Sequence, residues 1–145
     1  MISTELVTTI DVELGDVWDV GELPGGFRRV ISITGGTMTG PVLKGVVLSG
    51  GADWNTQRPD GSAELWARYT IRTDDGVTIG VINAGTLPAE IREGEVVTTP
   101  RLEVPAGPYA WLAETTLVGT FRPLPGREAV QIGIHRVVSY GYVVS

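Results

Sequence analysis

The chain has 145 residues, about the size of one ordinary domain, and its 42% hydrophobic and 19% charged residues are a globular composition. Seventeen acidic against eleven basic residues give a formal charge of -6 with no Lys/Arg cluster, a balance that repels phosphate backbones and argues against nucleic acid as a partner. There is no cysteine, which excludes disulfides, zinc–thiolate sites, iron–sulfur clusters and thiolate nucleophiles.

The chain opens on Met1-Ile2-Ser3-Thr4-Glu5, with neither a basic flank nor a long apolar run, and no later stretch has the length a membrane span needs. A soluble, unexported protein of the cytoplasm is the expectation. Runs rich in Val, Ile, Thr and aromatics then follow at 4–14, 26–34, 42–49, 63–73, 77–84, 94–103, 109–121 and 129–139. Between them stand turn signals such as Pro24-Gly25-Gly26, Gly40-Pro41, Gly50-Gly51, Pro105-Ala106-Gly107-Pro108 and Pro123-Leu124-Pro125-Gly126.

Asp60-Gly61 and Asp75-Gly76 read as hairpin tips, because glycine supplies the positive φ that tight turns demand. Successive strands should therefore pair as antiparallel neighbours. An open sheet of this length would leave two exposed edges, so one domain over 1–145 closed into an antiparallel β-barrel is expected, with a β-sandwich as the alternative. The apolar tail Ser139-Tyr140-Gly141-Tyr142-Val143-Val144-Ser145 is a candidate edge strand or homo-oligomer contact.

From about residue 20 to 121 the motif series resembles the bacterial family known as domain of unknown function 3237. The matching pieces are Gly26-Phe27-Arg28-Arg29, Ile33-Thr34-Gly35-Gly36-Thr37, Gly50-Gly51-Ala52-Asp53-Trp54, Arg58-Pro59-Asp60-Gly61, Ala67-Arg68-Tyr69, Thr73-Asp74-Asp75-Gly76 and Pro105-Ala106-Gly107-Pro108-Tyr109-Ala110-Trp111-Leu112-Ala113. The resemblance implies a small lipocalin-like barrel and no particular reaction. Two positions depart from it: Gly80, where relatives tend to carry an aromatic, and Ala113, where they often carry Asn. Either one facing inward would enlarge a pocket.

Strand alternation along 63–73 puts Glu64, Trp66, Arg68, Thr70 and Arg72 on one face and Ala63, Leu65, Ala67, Tyr69 and Ile71 on the other. The polar face is either the solvated outside, with Glu64 and Arg68 as surface partners, or the lining of a polar cavity. Gly50-Gly51-Ala52-Asp53-Trp54 is the foremost candidate site, since paired glycines admit close backbone approach and place a carboxylate beside a broad ring. A partly desolvated Asp53 has the raised pKa a general base needs; its structural alternative is a turn aspartate bonded to local amides, with Trp54 as a core plug.

Arg29, Arg68 and Arg101 lie in or beside apolar strands. They suit either bidentate capture of a carboxylate, phenolate or enolate, or snorkelling and pairing with Glu64, Glu103 or Glu114. Tyr69, Tyr109 and Trp111 are wall candidates for an aromatic or anionic small organic ligand, or simply core. His135 is the single histidine, so no multi-histidine metal centre exists, and the acidic residues lack metal-loop spacing; no metal and no cofactor are expected. Nucleophile-elbow, phosphate-loop and dinucleotide fingerprints are absent from the sequence.

Three functions remain open at this point. One is a cofactor-free lyase, isomerase or cyclase in which Asp53 or Glu64 moves a proton and Arg29 or Arg68 stabilises negative charge. Another is a non-catalytic carrier or sensor using the same cavity, and the third an oligomeric interaction protein.

Overall fold

In the computed structural model, which describes residues 1–90 and 96–141, eight strands run in chain order around a closed ring, each antiparallel to the next. They are β1 (Ile2–Leu23), β2 (Gly26–Thr39), β3 (Gly45–Gln57), β4 (Ala63–Thr73), β5 (Thr78–Leu87), β6 (Val97–Glu103), β7 (Leu117–Pro123) and β8 (Ala129–Ser139). β1 closes the ring on β8 from Ile2↔Ser139 to Glu13↔Ala129. The expected barrel is therefore the fold, and closure removes the free edges that a sheet of this size would otherwise expose.

The hairpin tips fall where the Asp-Gly pairs stand. The amide of Gly61 donates to the Arg58 carbonyl and that of Gly76 to the Thr73 carbonyl, with φ of +88° and +89° at the two glycines. The run 109–121 behaves differently from a strand throughout: Ala110–Glu114 form one short 3-10 helix before β7 begins at Leu117. Its purpose is visible in Leu112, which is fully buried in the core. β1 also runs beyond the expected 4–14, reaching Leu23 through irregular register at Leu14–Val17. Tyr140 and Gly141 lie past β8, with the Tyr140 amide donating to the Met1 carbonyl; residues 142–145 of the apolar tail lie outside the described residues, as do 94 and 95 of the expected sixth strand.

The two ends of the barrel are filled differently. At one end Val7, Met38, Leu43, Ile71, Ile79 and Leu112 are buried together. The segment after β2 is tied beneath β1 there, with the Val42 and Leu43 amides donating to the Val7 carbonyl and the Thr8 hydroxyl to the Leu43 carbonyl at 2.9 Å. Each large aliphatic side chain so removed from water contributes about 1.5–3 kcal/mol. At the other end, beyond Val12, Ile33 and Ile132, the interior opens into a cavity. No helix among the described residues is long and apolar enough to cross a membrane.

Candidate active site in the barrel cavity

The cavity has a volume of about 280 Å³. Its walls are mainly aliphatic, with Val12 and Leu14 from β1, Ile31 and Ile33 from β2, Leu65 and Ala67 from β4, Phe121 from β7 and Val130 and Ile132 from β8. Five polar side chains interrupt this lining: Arg29, Asp53, Asn55, Tyr69 and Asn83.

Strand register explains how they meet. Arg29 on β2 lies opposite Asn55 on β3, and Asp53 lies opposite Ile31, so Arg29, Asn55 and Asp53 share one inward face. Asp53 is in turn opposite Ala67, and Ala67 is opposite Asn83. A small alanine thus separates the carboxylate from the second amide. Tyr69, diagonal to Asn83, projects over Gly51, where an added Cβ would meet Tyr69 Cβ at 2.4 Å. The paired glycines of the Gly50-Gly51 motif do admit a close approach, and what approaches is Tyr69.

Asp53 accepts a 2.9 Å hydrogen bond from the Trp66 amide at one carboxylate oxygen and a 3.5 Å contact from Asn55 Nδ2 at the other. It is a strand residue reaching across to β4, not a turn aspartate. Burial raises its pKa above the ordinary value; the Trp66 and Asn55 hydrogen bonds and the charges of Arg29 and Arg28 oppose that rise without cancelling it. The carboxyl is accordingly placed to hold or release a proton in a largely apolar space.

Arg29 contacts Asn55 Oδ1 at 3.5 Å, while its Nε is buried without a partner among the described residues. Tyr69 Oη and Asn83 Oδ1 are likewise buried and unpartnered, with the two residues only 4% and 1% exposed. Burial raises the Tyr69 pKa strongly, which keeps the phenol neutral and a donor. An unpartnered buried polar atom costs about 1–3 kcal/mol, and three such atoms belong to side chains that line this one cavity.

The remaining candidates do not line the cavity, and of them Tyr109 packs its ring against the core. Glu64 and Arg68 occupy the outward face of β4, because the alternation that turns Leu65, Ala67 and Tyr69 inward sends their neighbours to solvent. Glu64 pairs with Arg58 and Arg68 with Glu103 at 2.8 Å, so the polar face is the solvated one and neither residue reaches the cavity. Trp54, adjacent to Asp53, must point the other way; it packs edge-on against Trp66 with ring centroids 5.8 Å apart. Arg101 is exposed on β6, Tyr109 donates to both carboxylate oxygens of Asp75 at 2.9 and 3.0 Å, and Trp111 lies outside under the Arg136 guanidinium. Gly80 faces Glu103 on the outer surface and Ala113 is exposed, so neither departure enlarges the cavity.

Asn55, Asn83 and Phe121 are lining residues that pattern reading passed over. Only the alternation of β3 and β5 could have found the two asparagines, once the inward phase of each strand was known.

The outward positions of Glu64 and Arg68 give a first expected result. Glu64→Gln and Arg68→Gln should each change stability by no more than about 1 kcal/mol, as exposed ion pairs do, and leave any cavity-based binding or turnover unchanged. Urea unfolding and ligand titration of the two variants check this.

Fold and cavity together define a small closed antiparallel barrel with a polar cluster inside one end. The chain belongs to the family described as "Protein of unknown function (DUF3237)", whose model matches residues 2–137. A UPF0311 protein of Rhodopseudomonas palustris is 36% identical over 94% of this chain and 97% of its own length. The crystal structure of a conserved protein from the same organism superposes with a TM-score of 0.85 at 36% identity, covering 95% of this chain and 99% of that one. A β-barrel-like protein of Acinetobacter baumannii gives the same TM-score at 30% identity, over 95% and 97% of the two chains. A hydroalkoxylation enzyme of Penicillium herquei is 25% identical over 80% of this chain and 72% of its own length.

Proposed function

We propose that the barrel binds a small organic anion at Arg29 and moves a proton with Asp53, as an enzyme of the lyase, isomerase or cyclase kind. The observation that carries this reading is the meeting of a carboxyl of raised pKa and an incompletely partnered arginine inside one apolar cavity. A general base works best when its pKa approaches the operating pH, and a guanidinium beside it stabilises the enolate or alkoxide left when the proton departs. A plain carrier has little use for an acid placed beside its anchor. The Penicillium relative supports the same direction, since hydroalkoxylation adds an O–H across a carbon–carbon double bond and therefore turns on proton transfer.

The test is hydrogen exchange into an enolisable organic anion. With phenylpyruvate in deuterated buffer, Asp53 takes a benzylic proton, Arg29 holds the enolate charge, the Asp53 carboxyl exchanges that proton for a solvent deuteron, and the deuteron returns to the same carbon. Proton NMR should show exchange above the buffer rate in the native protein. Exchange no faster than buffer across a set of such acids would overturn the enzyme reading and leave a carrier.

Arg29→Gln separates anchoring from chemistry. Because hydrogen bonds to a charged partner contribute about 1.5–3 kcal/mol, this variant should bind cinnamate, an inert aryl carboxylate, roughly 10–100-fold more weakly. Isothermal titration measures it, and unchanged affinity would remove Arg29 from the site.

A further inference from the structure

The cavity has a second polar pole, and its chemistry defines what the far end of a ligand must carry. Arg29 on β2 and Asn55 on β3 form the first pole. Tyr69 on β4 and Asn83 on β5 form the second, on diagonally adjacent inward positions that an aromatic and an amide side chain can both use to address one group. Asp53 stands between the poles, two strands from Asn83, a separation of about 9–10 Å at ordinary strand spacing.

Within the protein neither member of the second pole satisfies the other. Among the described residues Tyr69 Oη has no partner and Asn83 Oδ1 has none, although both residues are more than nine-tenths buried and line the cavity. The needs of the two atoms are complementary. A phenol offers a proton and an amide oxygen seeks one. A carboxylate or ether can answer only the phenol, and an ammonium only the amide oxygen. A hydroxyl accepts from the one and donates to the other.

We infer that the substrate class is a hydroxylated organic anion, its charge held at Arg29 and its hydroxyl held between Tyr69 and Asn83. This rests on the reading of the cavity as an anion-binding site and adds the group that sets specificity. A site that hydrogen-bonds a ligand hydroxyl rejects the analogue lacking it far more strongly than an apolar pocket rejects a change in size, since the rejected analogue leaves buried polar groups unpaired. Ala67, the small residue between Asp53 and Asn83, keeps open the space through which such a ligand passes from one pole to the other.

The experiment is a titration of the full chain and its variants with 4-hydroxycinnamate, cinnamate and 4-methoxycinnamate. The native protein should prefer the hydroxylated acid by roughly tenfold or more over both others. Tyr69→Phe and Asn83→Leu, which keeps the branch at Cγ without its polar atoms, should each bring that preference close to unity. Tyr69→Phe should also melt no lower than the native protein, since it deletes an unpartnered hydroxyl, so lost preference there cannot be assigned to unfolding. Equal binding of the three acids by the native protein, or a hydroxyl preference that survives both substitutions, would overturn the inference while the Arg29 anchor stands. If none of the acids binds, or Arg29→Gln binds them as the native protein does, the anion-site reading itself falls and takes the inference with it.

Discussion

Asp53→Asn should abolish proton transfer while sparing the ligand. The amide keeps the oxygen that accepts from the Trp66 amide at 2.9 Å and fills the same volume, so the β3–β4 junction survives the exchange. What is lost is the ability to take a proton. General-base catalysis contributes about 10²–10⁴-fold, and the deuterium exchange rate of phenylpyruvate should fall by that factor, while cinnamate, titrated separately, still binds. Loss of binding in step with loss of exchange would instead make Asp53 a structural or anchoring residue.

The pH dependence has a definite sign. Asp53 has its folded-state pKa raised above the ordinary 3.8, chiefly by burial. A base is active only when deprotonated, so exchange should increase with pH through a midpoint above 3.8. Stability runs the other way. Between 3.8 and the raised value the folded chain holds a proton that the unfolded chain has released, so the contribution of Asp53 is whole below 3.8 and is lost as pH rises through the folded pKa. Asp53→Asn removes that loss, and its melting temperature should gain on the native protein above the raised pKa but not below 3.8. A gain of equal size on both sides would mean that burial of the charge is not its cause.

How much of this could be read from the sequence depends on what each strand's pattern encodes. The barrel was legible because the turn chemistry is local: Asp60-Gly61 and Asp75-Gly76 form tight turns in the structure as in the reading. Arg29 was legible as a charged residue inside an apolar strand, and Asp53 as the carboxylate of the Gly50-Gly51 motif, although the expected strand 42–49 stopped short of it and the observed one runs to Gln57. Phase was the obstacle. A period of two divides β4 into two faces without naming the inner one, and the Leu65–Ala67–Tyr69 face had to win on burial for Glu64 and Arg68 to be placed outside. The same rule forbade Asp53 and Trp54 from lining one cavity, since neighbours on a regular strand point to opposite faces. Asn83 was hidden for the opposite reason. It follows Val81 and Ile82 in an apolar run, and nothing local marks an asparagine whose Oδ1 finds no partner among the described residues.

Gly51→Ala should be the most damaging single methyl in the site. Gly51 lies opposite Ile33 on β2, beside the irregular stretch where the β3–β4 register jumps between Leu48 and Ala52. The β3 backbone passes so close beneath β4 there that an added Cβ would stand 2.4 Å from Tyr69 Cβ, 2.6 Å from the Arg68 carbonyl oxygen and 2.8 Å from Tyr69 Cα. Two of those atoms are backbone, so no rotamer change relieves the contact and the strands must part. Overpacking of this kind costs about 1–3 kcal/mol, which in a domain of this size is on the order of several degrees in melting temperature. The displacement falls on Tyr69, so the preference for 4-hydroxycinnamate should weaken with the fold still intact. Calorimetry and titration on one preparation separate the two effects. A variant that melts as the native protein does, with the hydroxyl preference intact, would show that β3 does not set the position of Tyr69 and that the close approach at Gly51 is dispensable to the site.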